Sequence, residues 1–131
     1  MIRVFKSDNQ GDKFYAMMGR EFASLDIAKE LERQLYNQRD TTWYIHTINN
    51  FPIGYVSVCE HKEHYYVDNL FIHIAWRNQG LASELIERVI EDFTDKPIKC
   101  IAANPYSISI FEKNGFQKVG NNGKWNKYIK Y

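Results

Sequence analysis

Residues 77–82, with the sequence Arg-Asn-Gln-Gly-Leu-Ala, combine residue types that suit the binding of a diphosphate. The segment directly precedes the most strongly amphipathic run of the chain, so its amides would lie in the first turn of a helix. Such N–H groups have no intrahelical acceptor, and the helix dipole adds partial positive charge there. Gly80 and Ala82 would let phosphate oxygens approach the backbone, and Arg77 would add a charged donor fork. The alternative is a tight strand-to-helix turn with a solvated arginine, because a short glycine-bearing turn is a weak signal by itself.

A second segment, residues 104–116, makes the interpretation specific. Together the two segments resemble the GNAT acetyltransferase superfamily, in which a pyrophosphate loop R/Q-x-x-G-x-G/A follows a central strand and a segment close to N-x-x-A/S-x-x-Φ-Y-E-K-x-G-F comes later, Φ being apolar. Arg77, Gly80 and Ala82 occupy the fixed positions of the loop. The later segment is matched by Asn104, Ser107, Ile110, Phe111, Glu112, Lys113, Gly115 and Phe116. The resemblance covers about residues 68–119, and the N-terminal half shares only the order of its elements.

The resemblance implies that acetyl-CoA binds in a cleft where the strand ending at Ile74 splays from the strand Ile98–Ala102. Backbone groups near the end of the first strand would pair with the pantetheine arm, and the loop after it would hold the pyrophosphate. The expected donor-binding residues are Ile72, His73, Ile74, Arg77, Asn78, Gln79, Gly80, Leu81, Ala82, Ser83, Asn104, Ser107 and Phe111. Asn104 before proline is also an excellent helix N-cap, a role compatible with touching the arm. His73 is expected to contribute its backbone rather than a catalytic imidazole.

Direct acyl transfer to an amine requires a neutral nucleophile, yet an ammonium with a pKa of about 10.4 is almost wholly protonated at pH 7. The resemblance implies Asp68 as the base, because relatives that acetylate small amines often carry an acidic residue nine positions before the loop arginine. An ordinary ion pair is the alternative role for Asp68, and Glu21 and Glu60 are the reserve candidates. The amide of Ile72, left unpaired by the splayed strand, is the expected oxyanion donor.

Phe111 is a departure from the family, since many relatives have a tyrosine there that protonates the leaving thiolate. A phenyl ring has no proton to donate. A thiol with a pKa of about 8.5 can leave as the thiolate, or water can protonate it. The departure leaves open a slower enzyme, a different acid such as Tyr106 or Tyr128, or a binding protein with little activity.

The order of elements predicts an α/β (or α+β) fold with one domain over residues 1–131. Apolar periodicity indicates a strand, two helices, three strands, a helix, a strand, a helix and a terminal hairpin. The resemblance implies a central mixed, mostly antiparallel sheet of six to seven strands flanked by about four helices. Ile27, Leu31 and Leu35 are expected on the second helix, and Tyr65–Ile74 is expected as a single strand. Phe14, Met18 and Phe22 are expected in the core.

Composition narrows the partners and the location. Seventeen basic and sixteen acidic residues give a net charge of +1, which does not favour nucleic acid or an anionic membrane. The chain lacks a signal-peptide pattern and an apolar run of membrane-spanning length, so a soluble, cytoplasmic protein is expected. Cys59 and Cys100 are interpreted as reduced core thiols. The four histidines lack a metal-ligand spacing, although His61 and His64 could pair, and no metal is expected.

The sequence therefore predicts an N-acetyltransferase that moves an acetyl group from acetyl-CoA to a primary amine of a small molecule or peptide. Acceptor specificity is expected from Tyr15–Leu25 and from the terminal hairpin with Trp125 and Tyr128. A non-catalytic acyl-CoA sensor is the alternative, and a nucleic-acid-modifying relative of the same fold is a third possibility. A Rossmann domain is excluded because residues 77–82 lack the first glycine of its fingerprint. A monomer and a homodimer are both compatible with the sequence.

Overall fold

The computed structural model describes residues 1–6 and 11–131, which form one seven-stranded sheet with helices on its faces. The strands are β1 (Ile2–Lys6), β2 (Thr41–Ile48), β3 (Phe51–Glu60), β4 (Tyr65–Ile72), β5 (Ile98–Ala102), β6 (Gln117–Asn122) and β7 (Trp125–Lys130). The helices are α1 (Asp12–Ala23), α2 (Leu25–Leu31), α3 (Leu81–Asp92) and α4 (Pro105–Lys113), with a short 3₁₀ helix at Ile74–Trp76. The predicted fold class and the predicted order of elements are confirmed.

The sheet has the strand order β1-β2-β3-β4-β5-β7-β6, so the last strand of the chain lies between β5 and β6. Neighbouring strands are antiparallel except β4 and β5. The parallel pair is short: Tyr65 faces Ile98, Tyr66 faces Lys99, and no further pairing between the two strands follows in this described region. Beyond those residues the strands separate toward their carboxyl ends. This separation opens the sheet at its centre.

Two apolar clusters cover the two faces of the sheet. The first packs the apolar stripe of α3, including Leu85, Ile86 and Val89, together with Phe111 of α4, against the sheet. The second packs Phe14 and Met18 of α1 against the opposite face, with Phe22 partly buried beside them. Both clusters follow the helical spacing of apolar residues in the sequence. The predicted core roles of these α1 residues are confirmed.

Two predicted boundaries were wrong. Strand β4 ends at Ile72 rather than Ile74, because the amide of Trp76 donates to the carbonyl of His73 at 2.8 Å and starts a 3₁₀ turn. Helix α2 ends at Leu31, because Glu32 adopts a left-handed conformation with φ of 61°. Leu35 is nevertheless buried, in the segment between α2 and β2. In both cases an apolar residue beyond the end of the element, Ile74 or Leu35, continues the apolar spacing, although the backbone hydrogen bonds of the element have already ended.

Several smaller predictions concern side chains away from the sheet centre. Cys59 and Cys100 are free and buried, as expected, and burial raises the pKa of the Cys100 thiol. The rings of His61 and His64 stack with centroids 4.7 Å apart, which confirms the predicted pair. Within residues 1–6 and 11–131, no helix has both the length and the apolar character needed to cross a bilayer.

Candidate active site

A β-bulge in β4 lies beside the opening of the sheet. Asn69 adopts a left-handed backbone conformation with φ of 55°, and the register with β3 shifts between Tyr55 and Ser57. The buried side-chain amide of Asn69 donates to Ser57 Oγ at 2.8 Å and to the carbonyl of Tyr36 at 3.1 Å. Asparagine tolerates this backbone conformation better than most residues. The bulge therefore has a defined structural cause, and it directly follows Asp68.

A groove runs through the opening between β4 and β5, beneath the carboxyl end of α2. Its deeper part is a cavity of about 190 Å³ bordered by Asp68, Asn104, Ser107, Phe111, Lys124 and Trp125, together with residues 30–33. Its outer part reaches Ile72, Arg77 and Tyr106. Glu30, Leu31, Leu70, Asn104 and Ser107 border both parts, so the two are continuous. The groove thus brings together residues from both sequence segments that suggested a donor site.

Helix α3 begins at Leu81, four residues after Arg77, which borders the outer part of the groove. Gly80 is the N-cap residue with φ of 79°, and no side chain caps the helix. Asn78 is also left-handed, with φ of 63°, so the loop before the helix bends sharply. Among the described residues, the hydroxyl of Ser83 has no hydrogen-bond partner although Ser83 is 6% exposed. Unpaired first-turn amides and an unpaired buried hydroxyl form a concentrated set of donors for an anion.

Arg77 connects the end of β4 to α2. Its Nε–H donates to the carbonyl of Ile72 at 2.7 Å, and its Nη2 lies 2.6 Å from a carboxylate oxygen of Glu30. The guanidinium carbon also lies 5.4 Å from the ring centroid of Phe71. Arg77 therefore borders the groove, as expected of a phosphate ligand, while its side chain is engaged by protein groups.

The carboxylate of Asp68 accepts hydrogen bonds from several directions. One oxygen accepts from the amide of Asn69 at 2.8 Å and pairs with Arg33, and the other accepts from the hydroxyl of Tyr36. The Asp68 side chain is 10% exposed, whereas that of Arg33 is 36% exposed. Asp68 thus forms the ion pair that was the alternative to a base, and it lies inside the groove at the same time.

His73 and Glu21 form a separate group on the α1 face of the sheet. His73 Nε2 lies 2.5 Å from Glu21, and the hydroxyl of Tyr55 donates to the same Glu21 oxygen at 3.0 Å. Burial, followed by the nearby Glu21 charge, raises the pKa of Tyr55. The amide of His73 donates to the carbonyl of Ile53 at 2.9 Å, so this amide is already paired within the sheet. Ile74 is 81% exposed.

The remaining candidate residues are divided between the groove and more distant positions. Asn104 caps α4 by accepting from the amide of Ser107 at 2.8 Å, as its position before proline predicted. Glu60 lies at the opposite end of β3, where it pairs with Lys96 at 2.7 Å. Glu60 is therefore remote from the groove, and Glu21 reaches His73 rather than Asp68.

Phe111 lies at the base of the groove, buried against Phe116 with ring centroids 5.2 Å apart. Of the candidate acids, Tyr106 borders the outer groove, and its pKa is raised by burial against the opposing effect of Arg77. Tyr128 donates to Glu112 at 3.1 Å, and burial is the first cause of its raised pKa. The Tyr36 hydroxyl, bonded to Asp68, is a further phenol at this site.

The acetyltransferase (GNAT) domain family model matches residues 6–129. The chain belongs to the GNAT acetyltransferase family. This GNAT chain is 31% identical over 118 residues to an Escherichia coli protein named uncharacterized N-acetyltransferase YafP, over 84% of this chain and 71% of that protein. The crystal structure of Escherichia coli ElaA superposes with a TM-score of 0.82 at 11% identity, covering 100% of this chain and 99% of that one.

A GNAT family acetyltransferase from Elizabethkingia anophelis, solved with acetyl-CoA bound, also superposes on this GNAT chain. The TM-score is 0.66 at 14% identity, over 98% of this chain and 95% of that one. At such identities the two structural comparisons show a shared fold. Family membership itself rests on the family model and on the similarity to YafP.

Sequence analysis of this GNAT chain did not identify Glu30, Arg33, Tyr36 and Lys124. Tyr36 donates to Asp68, and the other three border the groove. The first three lie at the end of α2 and in the segment after it, at positions outside the apolar spacing of Ile27, Leu31 and Leu35. Lys124 lies in the turn before β7 and pairs with Glu32 at 2.6 Å. No local signal marks these residues, because each reaches the groove through a contact between distant parts of the chain.

Proposed function

We propose that this protein transfers an acetyl group from acetyl-CoA to a primary amine of a small molecule or peptide by direct attack. The observation that carries the proposal is the buried hydroxyl of Ser83, unpaired among the described residues, at the uncapped amino end of α3. A buried hydroxyl without a partner is costly unless a ligand completes it. Its place in the first turn of α3, close in sequence to the groove residue Arg77, supports the binding of a diphosphate there.

The residues around the groove fit such a donor substrate. The amides of Leu81, Ala82 and Ser83 have no intrahelical acceptor and would donate to phosphate oxygens. Gly80 has no side chain, and nothing lies within 4 Å of the place where a Cβ atom would be, so an anion could approach the backbone there. The opening between β4 and β5 would hold the pantetheine arm, with Ile72, Asn104 and Ser107 along it. The bound donor would supply an acyl carbon activated by its thioester.

The protein's part of the reaction concerns charge and protons. Asp68 would orient the acceptor's ammonium and receive its proton, directly or through water. The neutral nitrogen then bonds to the acyl carbon, the carbon–sulfur bond breaks, and sulfur keeps the electron pair. The nitrogen loses its second proton to water, which leaves a neutral amide. The amide of Ile72 would stabilise the negative oxygen that develops on the carbonyl. The amide of His73 donates to Ile53 on β3. Backbone groups of successive residues in an antiparallel strand point to opposite sides, so the amide of Ile72 would point away from β3 and toward the opening.

Departure of the thiolate needs no phenol in this proposal. A thiol with a pKa of about 8.5 is a good leaving group near neutral pH, and water can protonate it in the open groove. Phe111 then has the role of packing the base of the groove. Tyr106 is the phenol that borders the outer groove, and a Tyr106→Phe variant with unchanged turnover would exclude it as an acid.

Two measurements test the proposal in sequence. Isothermal titration calorimetry with acetyl-CoA should give one site per chain, and a thiol-release assay over a panel of amines should identify an acceptor. In the Gly80→Leu variant the left-handed backbone would be strained, and the new side chain would enter the open space at the start of α3. Undiminished acetyl-CoA binding by this variant would contradict the proposed diphosphate site.

A non-catalytic acyl-CoA sensor is the second candidate. Two observations favour it: Phe111 replaces the acid found in many relatives, and Asp68 is already paired with Arg33. In that case acetyl-CoA would bind, and no amine in the panel would release thiol. The same pair of measurements therefore separates the sensor from the enzyme.

A further inference from the structure

Three ion pairs link the carboxyl end of α2 to the two walls of the groove. Glu30 pairs with Arg77 at the outer end, and Glu32 pairs with Lys124 near the terminal hairpin. Between them Arg33 pairs with Asp68 inside the groove. Each carboxylate around the groove thus has a cationic partner, and the local charge is balanced. A site for a polycation needs an excess of carboxylates, which this groove lacks in the described structure.

The pairing of Asp68 with Arg33 limits what can bind as an acceptor. A simple amine would have to displace the guanidinium from Asp68 and would leave Arg33, whose side chain is 36% exposed, without its counter-charge. An amine that carries its own carboxylate avoids this problem. Its ammonium replaces Arg33 at Asp68, and its carboxylate replaces Asp68 at Arg33, so both charges stay paired.

We infer that the acceptor is an amine with a neighbouring carboxylate, such as a free α-amino acid, and that Arg33 is the residue that selects it. This inference rests on the proposed acetyltransferase function and names its substrate class. The guanidinium fork of arginine suits a carboxylate, which can accept two parallel hydrogen bonds. The cavity of about 190 Å³ beside Arg33 is also of a size for a small acceptor.

The exchange of partners also prepares the base. When the acceptor's carboxylate engages Arg33, the carboxylate of Asp68 keeps the donors of Asn69 and Tyr36 but loses its cation. It is then free to take a proton from the acceptor's ammonium. That first proton passes from Asp68 to water. The nitrogen bonds to the acyl carbon, the carbon–sulfur bond breaks with its electron pair on sulfur, and the nitrogen gives up a second proton, which water or Asp68 passes to the thiolate. The products are an N-acetylated amino acid and the free thiol.

The test measures kcat/KM by thiol release with the twenty amino acids, the corresponding amino acid amides and spermidine. The amino group of an amino acid amide is less basic than that of the free amino acid, so a larger fraction of it is neutral at a given pH. A preference for the free amino acid therefore cannot be explained by a more reactive amine. At least one amino acid should exceed its amide and spermidine by about tenfold or more, the factor for one charge-assisted contact. Preferred turnover of amides or spermidine would overturn the inference and leave the proposed function intact.

Arg33→Gln should lower kcat/KM for the preferred amino acid by about tenfold or more. The value for its amide should stay the same or rise, because a simple amine then no longer has to displace the guanidinium from Asp68. For the preferred amino acid, kcat/KM of Arg33→Lys should lie between those of the parent chain and Arg33→Gln, because lysine offers a point charge without the two parallel donors of a guanidinium. Arg88→Gln is the matched control, since Arg88 pairs with Asp92 on α3 and not with a groove residue. Equal losses of kcat/KM for the amino acid and for its amide would overturn the inference. Thermal melting would show whether either variant is misfolded. Acetyl-CoA binding without thiol release from any amine would reject the enzymatic function and this inference together.

Discussion

The guanidinium of Arg77 and the carboxylate of Glu30 form an ion pair with 2.6 Å between Nη2 and Oε1. The side chain of Arg77 is 25% exposed and that of Glu30 is 44% exposed, so the pair lies at the edge of the groove. A bound diphosphate would compete with Glu30 for the same cation. Loss of Arg77 should therefore weaken donor binding, and loss of the Glu30 charge should strengthen it.

Arg77→Ala should weaken acetyl-CoA binding by about 1–3 kcal/mol, the range for losing a charged hydrogen bond. Glu30→Gln should strengthen it by up to about 1 kcal/mol, because an exposed pair of this kind contributes little itself and its loss frees the arginine. Calorimetry measures both, with Arg88→Ala as the control on a different face. An unchanged dissociation constant for Arg77→Ala would remove Arg77 from the site.

Ser83→Ala should weaken acetyl-CoA binding by about 1 kcal/mol while leaving the free energy of unfolding unchanged or higher. The reason is that the hydroxyl, unpaired within the described structure, stabilises nothing in the free protein. Ser109→Ala is the control, because Ser109 is exposed on α4. Calorimetry and urea unfolding give the two readouts. A loss of stability with normal donor affinity would show that Ser83 has a structural role.

Asp68→Asn should lower kcat by about 10²–10⁴-fold, the usual contribution of a general base, and spare acetyl-CoA affinity. Asp92→Asn is a closely matched control, because Asp92 also accepts from a tyrosine hydroxyl and pairs with an arginine, on α3. Steady-state kinetics and calorimetry make the comparison. If Asp68→Asn kept the pH profile and turnover of the parent chain, Asp68 would not be the base.

Asn69→Ala should lower the free energy of unfolding by about 2–3 kcal/mol, since it removes two buried hydrogen bonds and places a side chain in a left-handed conformation. Asn69→Gly should recover about 1 kcal/mol of this loss, because glycine adopts that conformation freely. Urea unfolding measures the difference. Equal stabilities of the two variants would mean that the backbone conformation contributes nothing.

Alkaline unfolding should depend on Tyr65. Its hydroxyl donates to Asp95, and this hydrogen bond, followed by burial, raises the pKa of Tyr65 from 10.0 to about 12. A raised pKa stabilises the folded protein fully below pH 10, and this stabilisation is lost as the pH rises from 10 through about 12. Urea unfolding at these pH values should show a smaller decline for Tyr65→Phe than for the parent chain. Tyr131→Phe, at an exposed position, should decline as the parent does.

Local sequence features predicted much of the fold. The apolar stripe of α3 and the asparagine before proline at the start of α4 each act within a few residues, and both appear where expected. The wrong boundaries at Ile74 and Leu35 also arose from local apolar spacing. Both residues continue an apolar pattern, but a turn at His73 and a left-handed Glu32 end the elements first.

The sequence by itself determined the turn at residues 77–80 before α3, the order of helices and strands, and the family resemblance, because these depend on spacing along the chain. The tertiary structure decided which side chains surround Asp68 and Arg77. Tyr36 lies 32 positions from Asp68, and Glu30 lies 47 positions from Arg77. Such partners are chosen by how the sheet opens and how α2 lies across it, and no periodicity in the sequence encodes a contact between segments so far apart.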